Sequence, residues 1–264
     1  MEKSTVIGLV LGFFAIGFGM VLKGAKLSSI VNPAAFLIIF AGTAASLFIA
    51  FPLAELKRFP TLLKLLFTGK QLMSKQELIG FFIDMAAIAR REGLLALEGH
   101  MAEINDPFLK SGLSLIIDGR DPEFVRDVLM EEIEAMEDRH QSGALIFTQA
   151  GTYAPTLGVL GAVVGLIAAL GNLKDIDALG HSIAAAFIAT LLGIFSGYVL
   201  WHPFANKLKR MSKVESSLKK VAIEGILSLQ AGESASALED KLIVYLPVKE
   251  RNFRKAEETG SQYD

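Results

Sequence analysis

Four runs along the chain contain no aspartate, glutamate, lysine or arginine: Ser4–Leu22, Pro33–Phe51, Ala144–Leu170 and Ser182–Trp201. A helix crosses the hydrocarbon core of a bilayer with about 20 apolar residues, and about 17 at the low end. Each run meets that length, and short connections join the first to the second and the third to the fourth. The pattern predicts an all-α, polytopic membrane protein whose four transmembrane helices form two hairpins. The first run is too long for the apolar stretch of a secretory signal and no A-x-A-like site follows it, so it reads as a retained span.

Outside these runs the apolar positions take the helical period. "ELKRFPTLLKLLF" at 55–67 sets Lys57, Arg58 and Lys64 against a leucine-rich face, which predicts a helix lying along the membrane surface. "SKQE" at 74–77 is a capping box with Ser74 as cap and Glu77 reaching back. A helix with Leu78, Ile79, Phe82, Met85, Ala86 and Ala89 on one face follows, until Gly93 interrupts it. Asp121 and Pro122 supply an N-cap and a first helical residue. No breaker then appears before Pro155, so one helix is expected to run from Asp121 through Leu170, roughly 75 Å at 1.5 Å per residue. Span four is expected to continue past Pro203 through Leu208, Met211, Val214, Leu218, Val221 and Ala222. "ASALEDKLIVYL" predicts a last short helix before Pro247, and the residues beyond it are polar and expected to lack order.

Basic residues fix the expected orientation. The stretch 52–143 and the tail after Trp201 hold eleven lysines and arginines each, whereas the two short connections hold only Lys23, Lys26 and Lys174. Such residues accumulate on the cytoplasmic side, so both termini and the middle stretch are placed in the cytoplasm. The expected organisation is a transmembrane hairpin over 1–52, a cytoplasmic helical region over 53–143, a second hairpin over 144–203 and a cytoplasmic tail over 204–264. The protein is thus expected as a multi-pass membrane component with both termini on the cytoplasmic side and its spans in contact with lipid.

Composition agrees: 52% of the residues are hydrophobic and 20% charged, with a mean hydropathy of +0.46, too apolar for an ordinary soluble domain. A net charge of −2 gives no field for nucleic acid, and the absence of cysteine excludes disulfides and thiolate chemistry. The four histidines form no metal-binding spacing, and no nucleophile–base constellation suggests an enzyme. No cofactor is expected.

Ionisable groups inside a membrane mark ion relays, and these spans carry none. Their polar groups are hydroxyls and one amide, among them Thr43, Ser46, Thr148, Gln149, Tyr153, Thr156, Thr190 and Ser196. If ions cross here, a partner has to supply the charged group. Small residues recur at three- and four-residue spacing: Gly8, Gly12, Ala15 and Gly19; Gly151, Ala154, Gly158, Gly161, Ala162 and Gly165; Ala185, Ala186, Ala189, Gly193 and Gly197. Such stripes serve either packing within the chain or association beyond it, and their number points to association. Pro155 deprives the Gly151 carbonyl of its helical donor, which reads either as a passive kink or as a hinge beside a water-accessible path. Thr190 is open in the same way, since a mid-helix threonine commonly bonds the preceding turn.

"ARREGLLALE" at 89–98, "MEEIEAMEDRH" at 130–140, "AGTYAPTLGVLGAVVGL" at 150–166 and "ATLLGIFSGYVLWHPFANKL" at 189–208 together resemble the MotA/PomA family of flagellar motor stator subunits. The likeness covers nearly the whole chain and looks especially close to members from Gram-positive rod-shaped bacteria. It implies a homo-oligomeric ring, a pentamer, around a MotB-type single-span partner whose aspartate carries the ion. It also implies that Pro155 and Pro203 are functional prolines, that Thr190 is the pore threonine, with Tyr153 and Ala162 on the same path, and that Arg90 and Glu98 meet the rotor protein FliG. On the residues alone, Arg90 and Glu98 are charges of a solvated face. The acidic run Glu131, Glu132, Glu134, Glu137 and Asp138 reads either as a contact surface or as a solubilising one.

Sodium-type members of the family carry threonines at the positions of Ala162, Ala189 and Thr190. Two methyl groups there imply protons as the transported ion. An ExbB/TolQ-type energiser is the alternative within the same class, and the extra N-terminal hairpin argues against it. A non-conducting membrane scaffold is the alternative outside it, and the proline–threonine pair in uncharged spans argues against that.

Overall fold

The computed structural model describes residues 3–171 and 175–251; Lys174 and the polar residues from 252 onward, named above, lie outside the described residues. The described residues form helices and turns, with no strand among them. Helix α1 is Lys3–Leu22. Helix α2 is assembled from Pro33–Phe36, a π turn over Leu37–Ala41 and Gly42–Ala50. Next come α3 (Phe59–Thr68), α4 (Lys75–Glu92), α5 (Pro107–Ile117), α6 (Pro122–Leu170), α7 (Ile176–Gln230) and α8 (Ala235–Leu242). Among the described residues four helices are long and apolar enough to cross a membrane: α1, α2, α6 and α7.

The chain divides into two compact units. The first comprises Met1–Lys70 and Arg139–Met211. Its spans enclose a core of Leu47, Leu66, Ala144, Ile146, Phe147, Ala150, Phe204, Ala205 and Leu208. The predicted surface helix at 55–67 is broken: a single turn, Leu53–Leu56, precedes α3. Pro60 explains the break. It has no N–H for the Leu56 carbonyl and fits only the first turn of a new helix. Leu66 of α3 is fully buried, and its carbonyl accepts a hydrogen bond from the Thr5 hydroxyl of α1 at 2.9 Å. The Lys207 ammonium donates to that same hydroxyl and to Ser4 Oγ. One relay of polar groups therefore ties α1, α3 and the Lys207 end of this unit together.

Span four departs from its expected start. The charge-free run begins at Ser182, but α7 begins at Ile176, where the Asp175 carboxylate accepts from the backbone N–H groups of Asp177 and Ala178. A carboxylate at this end also suits the positive pole of the helix dipole. The expected passage through Pro203 is present, with a π turn over Ser196–Trp201 just before the proline. Pro203 has no N–H for the Val199 carbonyl, and widening the preceding turn lets the helix continue past the defect.

The second unit comprises Gln71–Asp138 and Ser212–Asp264. Ser74 caps α4 as predicted, its hydroxyl accepting from Glu77 N–H while Ser74 N–H donates to Glu77 Oε2 at 2.6 Å. That backbone bond, helped by the Ser74 side chain, holds the Glu77 carboxyl below its ordinary range. Leu78, Ile79, Phe82, Met85 and Ala86 are buried as the pattern predicts, against Leu113, Leu129, Ile133, Ile226 and Leu238. Helix α5 has no counterpart among the predicted elements. Its signal is the same Asp-Pro pair that marks α6: the Asp106 carboxylate accepts from Phe108 and Leu109 N–H ahead of Pro107. Of the acidic run, Glu132 pairs with Lys219 at 3.7 Å, while Glu131, Glu134 and Asp138 are exposed.

The core of this unit is tight where α7 crosses α4. A β-carbon on Gly225 would lie 2.5 Å from Cδ2 of the fully buried Phe82 ring, whereas one on Gly80 of α4 would meet nothing within 4 Å. Overpacking costs about 1–3 kcal/mol, and replacing a helical glycine by alanine returns about 0.5–1 kcal/mol. Gly225→Ala should therefore lower the thermal midpoint of the full chain followed by circular dichroism, and Gly80→Ala should leave it unchanged or raise it. If both variants behave alike, the Gly225–Phe82 contact is not a constraint.

Candidate functional site

The third and fourth spans meet along their small residues. A β-carbon on Gly158 would lie 2.8 Å from the Ala189 carbonyl oxygen and 2.9 Å from Gly193 Cα, so two backbones touch there with no side chain between them. One turn further Gly161 faces the Ala189 methyl, and two turns further Gly165 faces Ala186. At the other end a β-carbon on Gly197 would fall 2.6 Å from Cγ of Pro155, and one on Gly151 would fall 2.8 Å from Cγ, Nδ1 and Cδ2 of the His202 ring. The small-residue stripes of spans three and four thus pack on each other within one chain. For these two stripes this is the within-chain packing of the two readings, and it takes nothing from association beyond the chain. In span one, Gly8 and Gly19 have nothing within 4 Å, and Gly12 faces Val199.

The same ladder locates the freed carbonyl. Pro155 withholds a donor from Gly151 O, and the oxygen lies 2.8 Å from where a β-carbon of Gly197 would sit. The carbonyl is covered by the Gly197 methylene, an arrangement that allows a weak Cα–H···O contact in place of the missing N–H. The defect is accommodated because position 197 has no side chain.

Thr190 is half-buried, and its hydroxyl donates to the Ala186 carbonyl at 3.3 Å. Its neighbour Ala189 is buried against Gly158 and Gly161, which sets Thr190 and Ala162 at the same height of the two spans. Pro155 lies two helical turns toward Pro203. Pro203 itself is exposed and lines a groove of about 390 Å³ with Thr5, Tyr198, Phe204 and Lys207. Tyr153 is half-buried and packs on the Phe147 and Ala150 core. The ladder brings Pro155, Ala162 and Thr190 onto one pair of spans, while Tyr153 belongs to the packing around them.

On the exposed side of span three a row of hydroxyls runs past Pro155. Thr148, Thr152 and Thr156 each donate to the carbonyl four residues back, at 3.1 to 3.3 Å. Thr152 and Thr156 are exposed. Thr152 did not stand out in the sequence; the signal is the repeat of threonine every fourth residue.

Arg90 and Glu98 flank a sharp turn in the second unit. Arg90 is in the last turn of α4, Gly93 follows with φ 87°, and Glu98 belongs to a 3-10 helix over Leu94–His100. Both side chains are exposed, while Leu97 beside Glu98 is buried and anchors the turn. Arg90 also edges a small cavity lined by Ala89, Leu94, Gln230 and Glu233. The structure therefore presents the two charges on a fixed turn rather than on a fraying end.

Residues 100–220 match the MotA/TolQ/ExbB proton channel family. The chain is 59% identical over 251 residues to motility protein A of Bacillus subtilis, covering 95% of this chain and 93% of the relative. Its fold superposes on a chain of the flagellar MotAB stator complex of Bacillus subtilis with a TM-score of 0.91 at 58% identity, covering 95% of this chain and 98% of that one. Against the MotAB structure of C. jejuni the TM-score is 0.89 at 33% identity, covering 94% of this chain and 97% of the other. On an uncharged pair of spans locked backbone to backbone, with identity sustained along nearly the full length of both chains, this chain belongs to the MotA/TolQ/ExbB proton channel family and, within it, to the motility protein A group.

Proposed function

We propose that this chain is the ion-path subunit of a flagellar stator, forming a homo-oligomeric ring, a pentamer, around a MotB-type partner and turning proton flow into torque on the rotor protein FliG. The observation that carries the reading is the sustained identity to motility protein A together with the fold shared with the stator complexes. The chain works as a transporter subunit and not as an enzyme. The partner's carboxylate carries the proton, because the charge-free runs of the four spans hold no carboxylate, amine, guanidinium or imidazole of their own. Thr190 and the Thr148–Thr152–Thr156 row offer the hydroxyls that orient water or that carboxyl group. Pro155 and Pro203 set the local shape of the two spans, Ala162 keeps the path free of further oxygen, and Tyr153 braces it from the core side. Both termini, residues 53–143 and the tail from 204 lie in the cytoplasm, where Arg90 and Glu98 face the rotor.

Moving one charge through the membrane yields roughly 2.3 kcal/mol per 100 mV. That is enough to bias a ring between rotational positions separated by a few kcal/mol. A single proton can therefore bias the ring between neighbouring arrangements without unfolding anything.

Protons are favoured over sodium because a hard cation needs oxygen ligands. Ala162 and Ala189 present methyl groups, and the Gly151 carbonyl that Pro155 frees is covered by Gly197. Swimming driven by this chain and its natural partner should persist when external sodium is replaced by potassium at fixed pH, and should stop with a protonophore. Speed that follows sodium and ignores the protonophore overturns the assignment.

Charge reversal at Arg90 or Glu98 should weaken binding to the rotor protein by about tenfold or more, the effect of losing a close charge pair. Ion conduction and membrane assembly should be intact. Normal swimming of both variants would return these residues to an ordinary solvated face.

The chain has no cysteine, so topology can be tested on a clean background. Single cysteines at Ser28 and Asp177 should react with an impermeant thiol reagent added to intact cells, and one at the exposed Ser114 should not. Labelling in the opposite sense reverses the orientation.

A further inference from the structure

Within the spans, the threonines of α6 and Thr190 of α7 give their hydroxyl hydrogens to the carbonyl four residues back. Thr43 does not. Its side chain is 4% exposed, and Oγ1 is buried with no hydrogen-bond partner. The indole N–H of Trp201 is a second buried donor without an acceptor. Both residues line the same cavity, of about 260 Å³, whose other walls include Phe40, Ala44, Leu47, Phe48, Phe59 and Ala150.

An orphaned hydroxyl or indole N–H in apolar surroundings costs several kcal/mol in a membrane, so an acceptor is required. Water is a poor occupant. A water needs only about 10–15 Å³ on this measure together with two to four polar partners, and this space is far larger and otherwise apolar. The occupant must be mostly hydrocarbon and carry oxygen acceptors beside two partial positive hydrogens. Phe48 and Ala44 on the rim are exposed, so the cavity is reached from the face that span two turns to the bilayer. Tryptophan belongs to the level of the lipid headgroups, where ester carbonyls lie.

We propose that this cavity is a binding site for one diacyl phospholipid, held by its acyl chain against Phe40, Leu47 and Phe59 and by its ester carbonyls accepting from Trp201 Nε1–H and the Thr43 hydroxyl. The site rests on the assignment of the spans and is independent of the rotor and ion assignments. It makes lipid a structural part of the joint between span two, α3 and the Trp201 turn of span four.

Trp201 is the one tryptophan of the chain, so its fluorescence reports on this cavity alone. The full chain is reconstituted in diether phosphatidylcholine vesicles containing a small fraction of diester phosphatidylcholine brominated on its acyl chains. Trp201 should be quenched beyond what the bulk fraction of brominated lipid gives, showing preference for the ester. Ala44→Phe, which fills the cavity from span two, should lose most of the quenching. Thr43→Val keeps the size of the side chain and should lose the preference for ester over ether lipid, so the outcome does not hang on whether Ala44→Phe folds. Quenching that follows the bulk fraction equally in all three proteins means Trp201 meets only the general bilayer and overturns the site. Absence of quenching means that water or a second copy of this chain fills the space, and overturns it as well.

Discussion

The meeting of Gly158 with Gly193 sets the geometry on which the rest of this molecule depends. Lipid is as apolar as any side chain these spans carry, so hydrophobic burial does not pull them together; close van der Waals contact does. With no β-carbon on either helix, the backbones approach to touching distance, and neighbouring pairs, Gly161 with Ala189 and Gly165 with Ala186, continue the contact. That spacing in turn places Pro155 on Gly197 and the His202 ring on Gly151. A larger residue at any of these points would push apart the two spans that hold Thr190 and Ala162 level with each other.

A second constraint follows from the solvent. Hydrocarbon offers no hydrogen bonds, so each polar group in a span needs a partner of its own. The threonines of span three and Thr190 meet this demand locally, through the preceding turn. The carbonyl freed by Pro155 meets it through Gly197, and the turn before Pro203 through local widening to a π turn. Two prolines that would break soluble helices are thus carried in long ones at little cost. Thr43 and Trp201 are where this internal economy stops, and they share a cavity.

Much of this was legible in the sequence because membrane length and helical period are one-dimensional signals. The four spans, the Ser74 cap, the run from Asp121 to Leu170 and the passage through Pro203 all depend on residues close together in the chain. What escaped depends on contacts between distant residues or on subtle backbone adjustments. The π turns in α2 and α7 have no compositional mark, and the break before α3 turns on whether Pro60 starts or interrupts a helix. For the small-residue stripes the spacing was evident but the partner was not. A stripe records only that some backbone comes close, and here the backbone is the next span of the same chain. Arg90 and Glu98 were legible as exposed charges; their placement on a turn anchored by Leu97 required the fold.

The energies of the two halves of the site explain why small residues and prolines suit the proposed stepping, in which one charge at a time has to shift the spans. Spans locked by large interdigitating side chains would have to break many contacts to shift, at a cost well above the roughly 2.3 kcal/mol that 100 mV supplies per charge. A glycine seam holds the spans at a defined distance while leaving few side chains that must change rotamer when one span slides or turns against the other. In the proposed stepping Pro155 and Pro203 would serve the same principle, since each lacks a backbone hydrogen bond that a local change of shape would otherwise have to break. Specificity in such a seam comes from excluding side chains rather than from matching them. The methyl of Ala189, buried against Gly161, is then about as much bulk as the contact tolerates.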